Sequence, residues 1–519
     1  MSFTSLTFVV FVATLVIAYY IIPKRFQWVL LLAASYGFYM WGGGKTVFYL
    51  ILTTCATYIA GRYLGRLNKK DKQISSKENP AAKKRIRRIK RLIVWLSCIF
   101  NFGLLFGLKY LPFTVSAAQK VIEGLPTIPN LIIPVGLSFY IFQSMSYVID
   151  CYRGKYEPEK NIAKFALFVS FFPQIIQGPI SRFDQLGNQL TAKHCLNWDQ
   201  LKYGIQLIMW GYFKKLVIAE RAAVVVNTVF DSYWTHPGSI MVVGVLGYCV
   251  QLYCDFSGGI DITRGVAQML DINMVENFRR PIFAQSLPEY WRRWHITLGA
   301  WMRDYLFYPL ALSKAFRRLG RFGRKHFGGV MGKIFATSTA TFIVYFVIGI
   351  WHGANFRYIA FGFYNGIIIT MGLLLEPTFV KIRERIPIKW DGKVWHLIQV
   401  FRTASIVFVG RYITRAPRLL SALYMMKCTV LDFQATALTD GSLLNLGITA
   451  FDYGVIILGV FVILFIESYQ ERGVEIRKTL EKKNAFVQFA AIMIPLMTII
   501  LLGVVGQNYK GAEFIYAQF

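Results

Sequence analysis

Charge is scarce in this chain. Only 16% of its 519 residues are charged while 55% are hydrophobic. A soluble protein of that length would divide into domains with charged surfaces, so that class is excluded. Paired cysteines are missing too. The seven cysteines form no CxxC pair and no cluster with histidine, which argues against a disulfide framework and against a zinc site. Cys249 and Cys254, within one apolar segment, read as buried free thiols. The chain shows no internal repeat, no low-complexity tract beyond one basic stretch, and no polar segment long enough to fold as a soluble domain. Its first apolar segment lacks a basic leader and a small-residue cleavage site. A retained span is therefore expected there, not a cleaved signal.

What is present is a succession of apolar runs, among them residues 7–22, 92–113, 238–253, 334–350 and 488–506. A hydrocarbon core about 30 Å thick takes roughly 20 such residues per helical span. The runs are continuous and do not alternate, so helices are the expected spanning element. The sequence predicts an all-α integral membrane protein of roughly nine to twelve spans or half-spans. It reads as one polytopic domain over 1–519: scaffold spans in 1–130, a functional core in 131–375 and further spans in 376–519.

The formal net charge of +31 invites a nucleic-acid partner, but its distribution excludes one. Basic residues gather at the ends of apolar runs, the pattern that orients membrane proteins with basic loops inside. Lys24 and Arg25 follow the first run, and a denser block lies within 65–91, including Arg66, Lys83, Lys84, Arg85, Arg87, Arg88, Lys90 and Arg91. Two runs, 27–41 and 46–64, separate these clusters, which places both on the cytoplasmic side and the N-terminus outside. The 65–91 block, with Ser75, Ser76, Asn79 and Pro80, is expected as a loop that is partly disordered or helical only at its end. Arg317, Arg318, Arg321, Arg324 and Lys325 form a third block, and Lys381, Arg383 and Arg385 a fourth. Each is explained by topology and contact with the lipid bilayer.

Polar residues also occur where they are costly. An ionisable group at the bilayer centre costs about 2.5–3.5 kcal/mol on insertion scales and normally faces a cavity or a partner. Residues 251–309 nevertheless carry Asp255, Asp261, Arg264, Asp271, Glu276, Arg279, Arg280, Glu289, Arg292, Arg293, His295, Arg303 and Asp304, with aromatics interleaved and with Pro281 and Pro288 as breaks. A partly buried, wet, re-entrant region follows from that pattern. Residues 172–180, with Pro173, Gly178 and Pro179, are a second break, either a kink or a re-entrant segment. Of six histidines, His194, His236, His326 and His396 lie in polar connectors or near span ends and are expected to be interfacial or solvated. His295 lies inside the polar run. His352 ends a long apolar run and precedes Gly353-Ala354-Asn355, small residues that let a substrate approach the imidazole. For both, a structural histidine and a chemical one are open on composition alone.

The residues Tyr290-Trp291-Arg292-Arg293-Trp294-His295-Ile296-Thr297-Leu298 and Trp301-Met302-Arg303-Asp304-Tyr305-Leu306 resemble the signature of the membrane-bound O-acyltransferase family. In the expected order stand Pro134-Val135-Gly136, Gln143, Tyr147, the 172–180 segment, Asp255-Phe256-Ser257-Gly258, Glu276-Asn277-Phe278 and Trp351-His352-Gly353-Ala354. The branch most resembled is the alginate O-acetylase type, which also holds peptidoglycan and cellulose acetylation proteins. The D-alanine transfer protein of teichoic acid is a shorter relative. The resemblance implies a helical ring with broken helices around a central tunnel, where a cytoplasmic acyl donor meets an acceptor from the other face. His352 matches the family's catalytic histidine and His295 its second functional histidine. Two departures stand out: Gly259-Ile260-Asp261-Ile262 after the Asp-Phe-Ser-Gly motif, and Asn365 where many relatives carry a histidine.

The implied chemistry is acetyl transfer from a thioester, with acetyl-CoA as donor substrate and no bound cofactor or metal. His352 would take the proton of the acceptor hydroxyl, a step worth about 10²–10⁴ in rate. His295 would orient the acceptor or stabilise the oxyanion. Arg292, Arg293, Asn355, Asp255, Ser257 and Trp351 are candidate substrate contacts, although structural pairing competes for the arginines and Asn355. Expected partners are an extracytoplasmic transferase and a polysaccharide acceptor, in the cytoplasmic membrane of a bacterium. D-alanyl transfer, a transporter and a non-catalytic assembly subunit are the rival readings.

Overall fold

The computed structural model describes residues 2–74, 79–122, 124–126, 131–386, 390 and 392–504. Among them the chain is helical throughout, and its extended pairing is one isolated antiparallel bridge, Phe278 with Trp294. Seven helical stretches are long and apolar enough to cross a membrane: Lys24–Gln73, Pro80–Ala118, Gly238–Met269, Gly329–His352, Phe356–Arg385, Ala450–Glu471 and Ala485–Leu502. Leu6–Ile21 and Leu419–Leu431 are shorter apolar helices. The helical expectation holds because each run is long enough to satisfy its backbone internally. Large side chains such as Phe401, Phe461 and Phe489 stay exposed, as suits helices solvated by lipid.

Two expectations are corrected. The basic stretch 65–91 is mostly helical, since Val47–Gln73 runs through Arg66 and a new helix starts at Pro80. Asn79 caps that start, its side chain accepting from Ala82 N at 3.0 Å, with proline at the first turn where a missing N–H costs nothing. Ser75 and Ser76 lie outside the described residues, as does the end of the predicted 488–506 run. The polar run, in turn, does not break from its beginning. Helix Gly238–Met269 continues through Asp255, Asp261 and Arg264, and the chain leaves it only at Leu270 and Asp271, the latter with φ 61.

The chain divides into two compact units, Met1–Trp210 with Gly259–Val275 and Gly211–Gly258 with Glu276–Phe519. In the first, the 172–180 segment is a buried break. Helix Ile162–Ser170 stops before Pro173, and Phe172 N turns to Ser35 Oγ at 3.2 Å. The carbonyl of Phe168 thereby loses its helical partner. Two glutamines replace it: Gln143 Nε2 donates at 2.7 Å and Gln174 Nε2 at 2.8 Å. Ile175 presses on Gly136, where a Cβ would lie 1.8 Å from the Ile175 carbonyl oxygen and φ is +70. Only glycine fits there, which explains the Pro-Val-Gly motif. His194, expected to be interfacial or solvated, is buried with both ring nitrogens bonded, to Asp271 Oδ2 at 3.0 Å and the Gln189 carbonyl at 2.8 Å. His326 and His396 are exposed as expected.

In the second unit, helices Gly329–His352 and Phe356–Arg385 cross where Gly349 meets Gly362. A Cβ on Gly349 would lie 2.7 Å from the Gly362 Cα, so the absence of side chains there permits the close crossing. Helix Lys314–Phe327 turns Gly320 and Gly323 inward and Arg317, Arg318, Arg321, Arg324 and Lys325 outward. That sorting follows its 3.6-residue periodicity.

Candidate active site

The signature segment is built by two short stretches pairing back to back. Phe278 bridges Trp294, Arg279 N donates to the Arg293 carbonyl at 2.9 Å, and Ile296 N donates to the Asn277 carbonyl at 2.9 Å. Helix Leu287–Arg293 ends there, and His295 reverses the chain with φ 47 and ψ 53 before helix Ile296–Met302 begins. A left-handed conformation costs a non-glycine residue roughly 1–2 kcal/mol. The paired backbone bonds, at about 1 kcal/mol each, hold it in place. His295 is 3% exposed, its ring edge-on to Phe256 with centroids 4.9 Å apart.

Asn277, wholly buried, organises this turn. Its Oδ1 lies 3.0 Å from Thr297 N, 2.9 Å from Thr297 Oγ1 and 3.2 Å from His295 Nδ1. His352 closes its long helix, as expected, and is 8% exposed. Its ring packs against Trp351, Tyr358 and Phe361 at centroid distances of 5.1, 6.2 and 5.8 Å. Trp351 also meets His295, at 5.8 Å. The two imidazoles, 57 residues apart in sequence, thus lie against one indole. A pair of buried imidazoles in an aromatic wall can move a proton in a site kept from bulk water.

The family model for membrane-bound O-acyltransferases matches residues 159–323, a span that holds the signature turn. The chain is 32% identical over 455 residues to a probable alginate O-acetylase of Pseudomonas aeruginosa, covering 86% of this chain and 77% of the relative. The chain belongs to the membrane-bound O-acyltransferase family. It is also 28% identical to a peptidoglycan O-acetyltransferase of Helicobacter pylori, over 65% of this chain and 64% of that protein. A teichoic acid D-alanyltransferase of Bacillus subtilis is 26% identical over 55% of this chain and 69% of its own length. This membrane-bound O-acyltransferase is therefore a multi-pass membrane enzyme, and the transporter and assembly-subunit readings are set aside.

The other sequence candidates are scattered. Asn355 caps helix Phe356–Arg385, its Oδ1 accepting from Arg357 N at 3.1 Å. Arg293 bridges Glu289 and Glu471 at 2.7 and 2.8 Å, while Arg292 is exposed. Asn365, the departure from the histidine of many relatives, accepts from Trp291 Nε1 at 3.2 Å and so anchors the signature tryptophan.

Asp255 and Ser257 enter a different structure, a buried ionic cluster whose lysines sequence reasoning overlooked. Lys215 Nζ lies 2.5 Å from Asp255 and 2.8 Å from Glu220, and Lys214 Nζ donates to Ser257 Oγ at 2.9 Å. The two lysines occupy a π-helical stretch, Phe213–Ala219, whose extra residue per turn redirects side chains. Their signal was two adjacent lysines inside an apolar run. Asn277 was visible within Glu276-Asn277-Phe278, but its role depends on a contact 18 residues away.

Proposed function

We propose that the enzyme transfers an acetyl group from acetyl-CoA, or another acyl thioester, on the cytoplasmic side to a hydroxyl of an extracytoplasmic polysaccharide. The observation that carries this reading is the burial of His295 and His352 against the shared Trp351 indole. His352 takes the hydroxyl proton as the oxygen attacks the thioester carbonyl. A C–O bond forms, the C–S bond breaks as the tetrahedral intermediate collapses, and the imidazolium returns the proton to the departing thiolate. His295 orients the hydroxyl for attack. Arg293 and Asn355, being committed to an ion-pair network and a helix cap, shape the site without touching substrate. The greater extent of similarity to an alginate O-acetylase than to a D-alanyltransferase, 86% against 55% of the chain, favours acetyl over D-alanyl. In this reading the enzyme sits in a bacterial cytoplasmic membrane and hands its product to, or works beside, an extracytoplasmic transferase.

The test uses purified full-length enzyme in lipid nanodiscs with labelled acetyl-CoA and an oligosaccharide acceptor. Label is expected to pass to the sugar, and His352→Ala to lower that transfer by at least about 10²-fold. Undiminished transfer by a normally inserted His352→Ala protein would overturn the assignment of the base.

A further inference from the structure

The Asn277 side chain can be oriented without reference to any histidine. Thr297 N–H only donates, and it lies 3.0 Å from one terminal atom of the amide. That atom must be the oxygen, and the Thr297 hydroxyl donates to it as well at 2.9 Å. His295 Nδ1 lies 3.2 Å from the same oxygen. An amide oxygen accepts and never donates, so Nδ1 carries the hydrogen. In the neutral ring the lone pair then belongs to Nε2.

We propose that Asn277 is a positioning residue that locks His295 in the Nδ1–H tautomer, so that Nε2 accepts a hydrogen bond from a second hydroxyl of the acceptor sugar while the reacting hydroxyl keeps its proton for His352. This rests on the acyl-transfer reading above and settles which of two tasks His295 performs. A ring with its lone pair on Nε2 aligns a hydroxyl, whereas stabilising an oxyanion would need a donor there. Three further observations support the assignment. Asn277 is 0% exposed. Its Nδ2 finds no acceptor among the described residues, so the side-chain hydrogen bonds of Asn277 run through Oδ1. Finally, Ile296 N bonds the Asn277 carbonyl at 2.9 Å, and this backbone contact fixes the register that brings oxygen to ring. An aspartate would accept the same bonds but set a negative charge against the ring; the amide holds the proton on Nδ1 while leaving the imidazole neutral.

The experiment is nitrogen-15 NMR of histidine-labelled full-length enzyme in bilayers, with the His295 signals assigned by their loss in His295→Gln. A protonated Nδ1 and an unprotonated Nε2 are expected. Asn277→Leu should shift the proton toward Nε2 and lower kcat by about 10²-fold, with KM within about threefold. Asn277→Asp should restore the Nδ1–H form and return kcat to within about tenfold of the parent. A parent ring carrying its proton on Nε2 would overturn the proposal, and so would a folded Asn277→Leu protein with tautomer and kcat unchanged. The parent spectrum requires no substitution at Asn277, so it decides even if the leucine variant fails to fold. Because it measures no turnover, it also separates failure of this proposal from failure of the acyl-transfer reading.

Discussion

His194 and His295 are both buried and both depend on a residue with left-handed backbone, Asp271 in one case and His295 itself in the other. They differ in how the ring is committed. His194 points both nitrogens at acceptors, the Asp271 carboxylate and the Gln189 carbonyl, while Gln27 bonds its backbone N–H and its carbonyl. Such a ring offers no lone pair to a substrate. His295 meets an amide oxygen at Nδ1, and that contact specifies the other nitrogen as the basic one. Burial alone therefore does not tell the two histidines apart; the hydrogen-bond partners do.

Exchanging the two histidines' fates is the sharpest test. His295→Gln is expected to lower acyl transfer by about 10²–10⁴-fold with little change in thermal midpoint, whereas His194→Gln should leave turnover within about threefold and lower the midpoint instead. Equal losses of activity would erase the distinction. A second contrast sets the aromatic site against the ionic cluster. Lys215→Met removes the ammonium that lies between the buried carboxylates of Asp255 and Glu220 and should cost about 3–5 kcal/mol. Unfolding in detergent of fixed composition measures it, and a cost under about 1 kcal/mol would mean that solvent reaches the cluster. For His194 itself, Asp271→Asn keeps a residue that tolerates the left-handed backbone but weakens the bond to Nδ1. A loss of about 1–2 kcal/mol is expected by the same assay. The smallest effect belongs to Asn365→Ala, which removes the acceptor of the Trp291 indole. It should cost about 1 kcal/mol and leave the His295 tautomer spectrum as in the parent.

Much of the fold was legible because a bilayer imposes length and hydropathy on every span. The runs at 334–350 and 92–113 became parts of Gly329–His352 and of Pro80–Ala118 for that reason. Proline at 173 and glycine at 136 also announced their roles, since one lacks a donor and the other lacks a Cβ. The misread places were those where helix persisted through charge. Asp255 within Gly238–Met269 and Arg66 within Val47–Gln73 looked like departures from helix. A long helix carries a charge without breaking when a partner stands opposite, as Lys215 does for Asp255. The sequence does not show that partner.

The amino-acid order alone determined the membrane setting, the helical class, the ordered signature and the two histidines worth testing, because hydropathy and local motifs are properties of neighbouring residues. Tertiary structure alone decided that Trp351 joins His295 to His352, that Asn277 faces Nδ1, and that Arg293, Asn355, Asp255 and Ser257 serve ion pairs, a cap and a buried cluster. Those outcomes depend on side chains from separate segments converging within hydrogen-bonding or van der Waals distance, and only the folded chain brings them there.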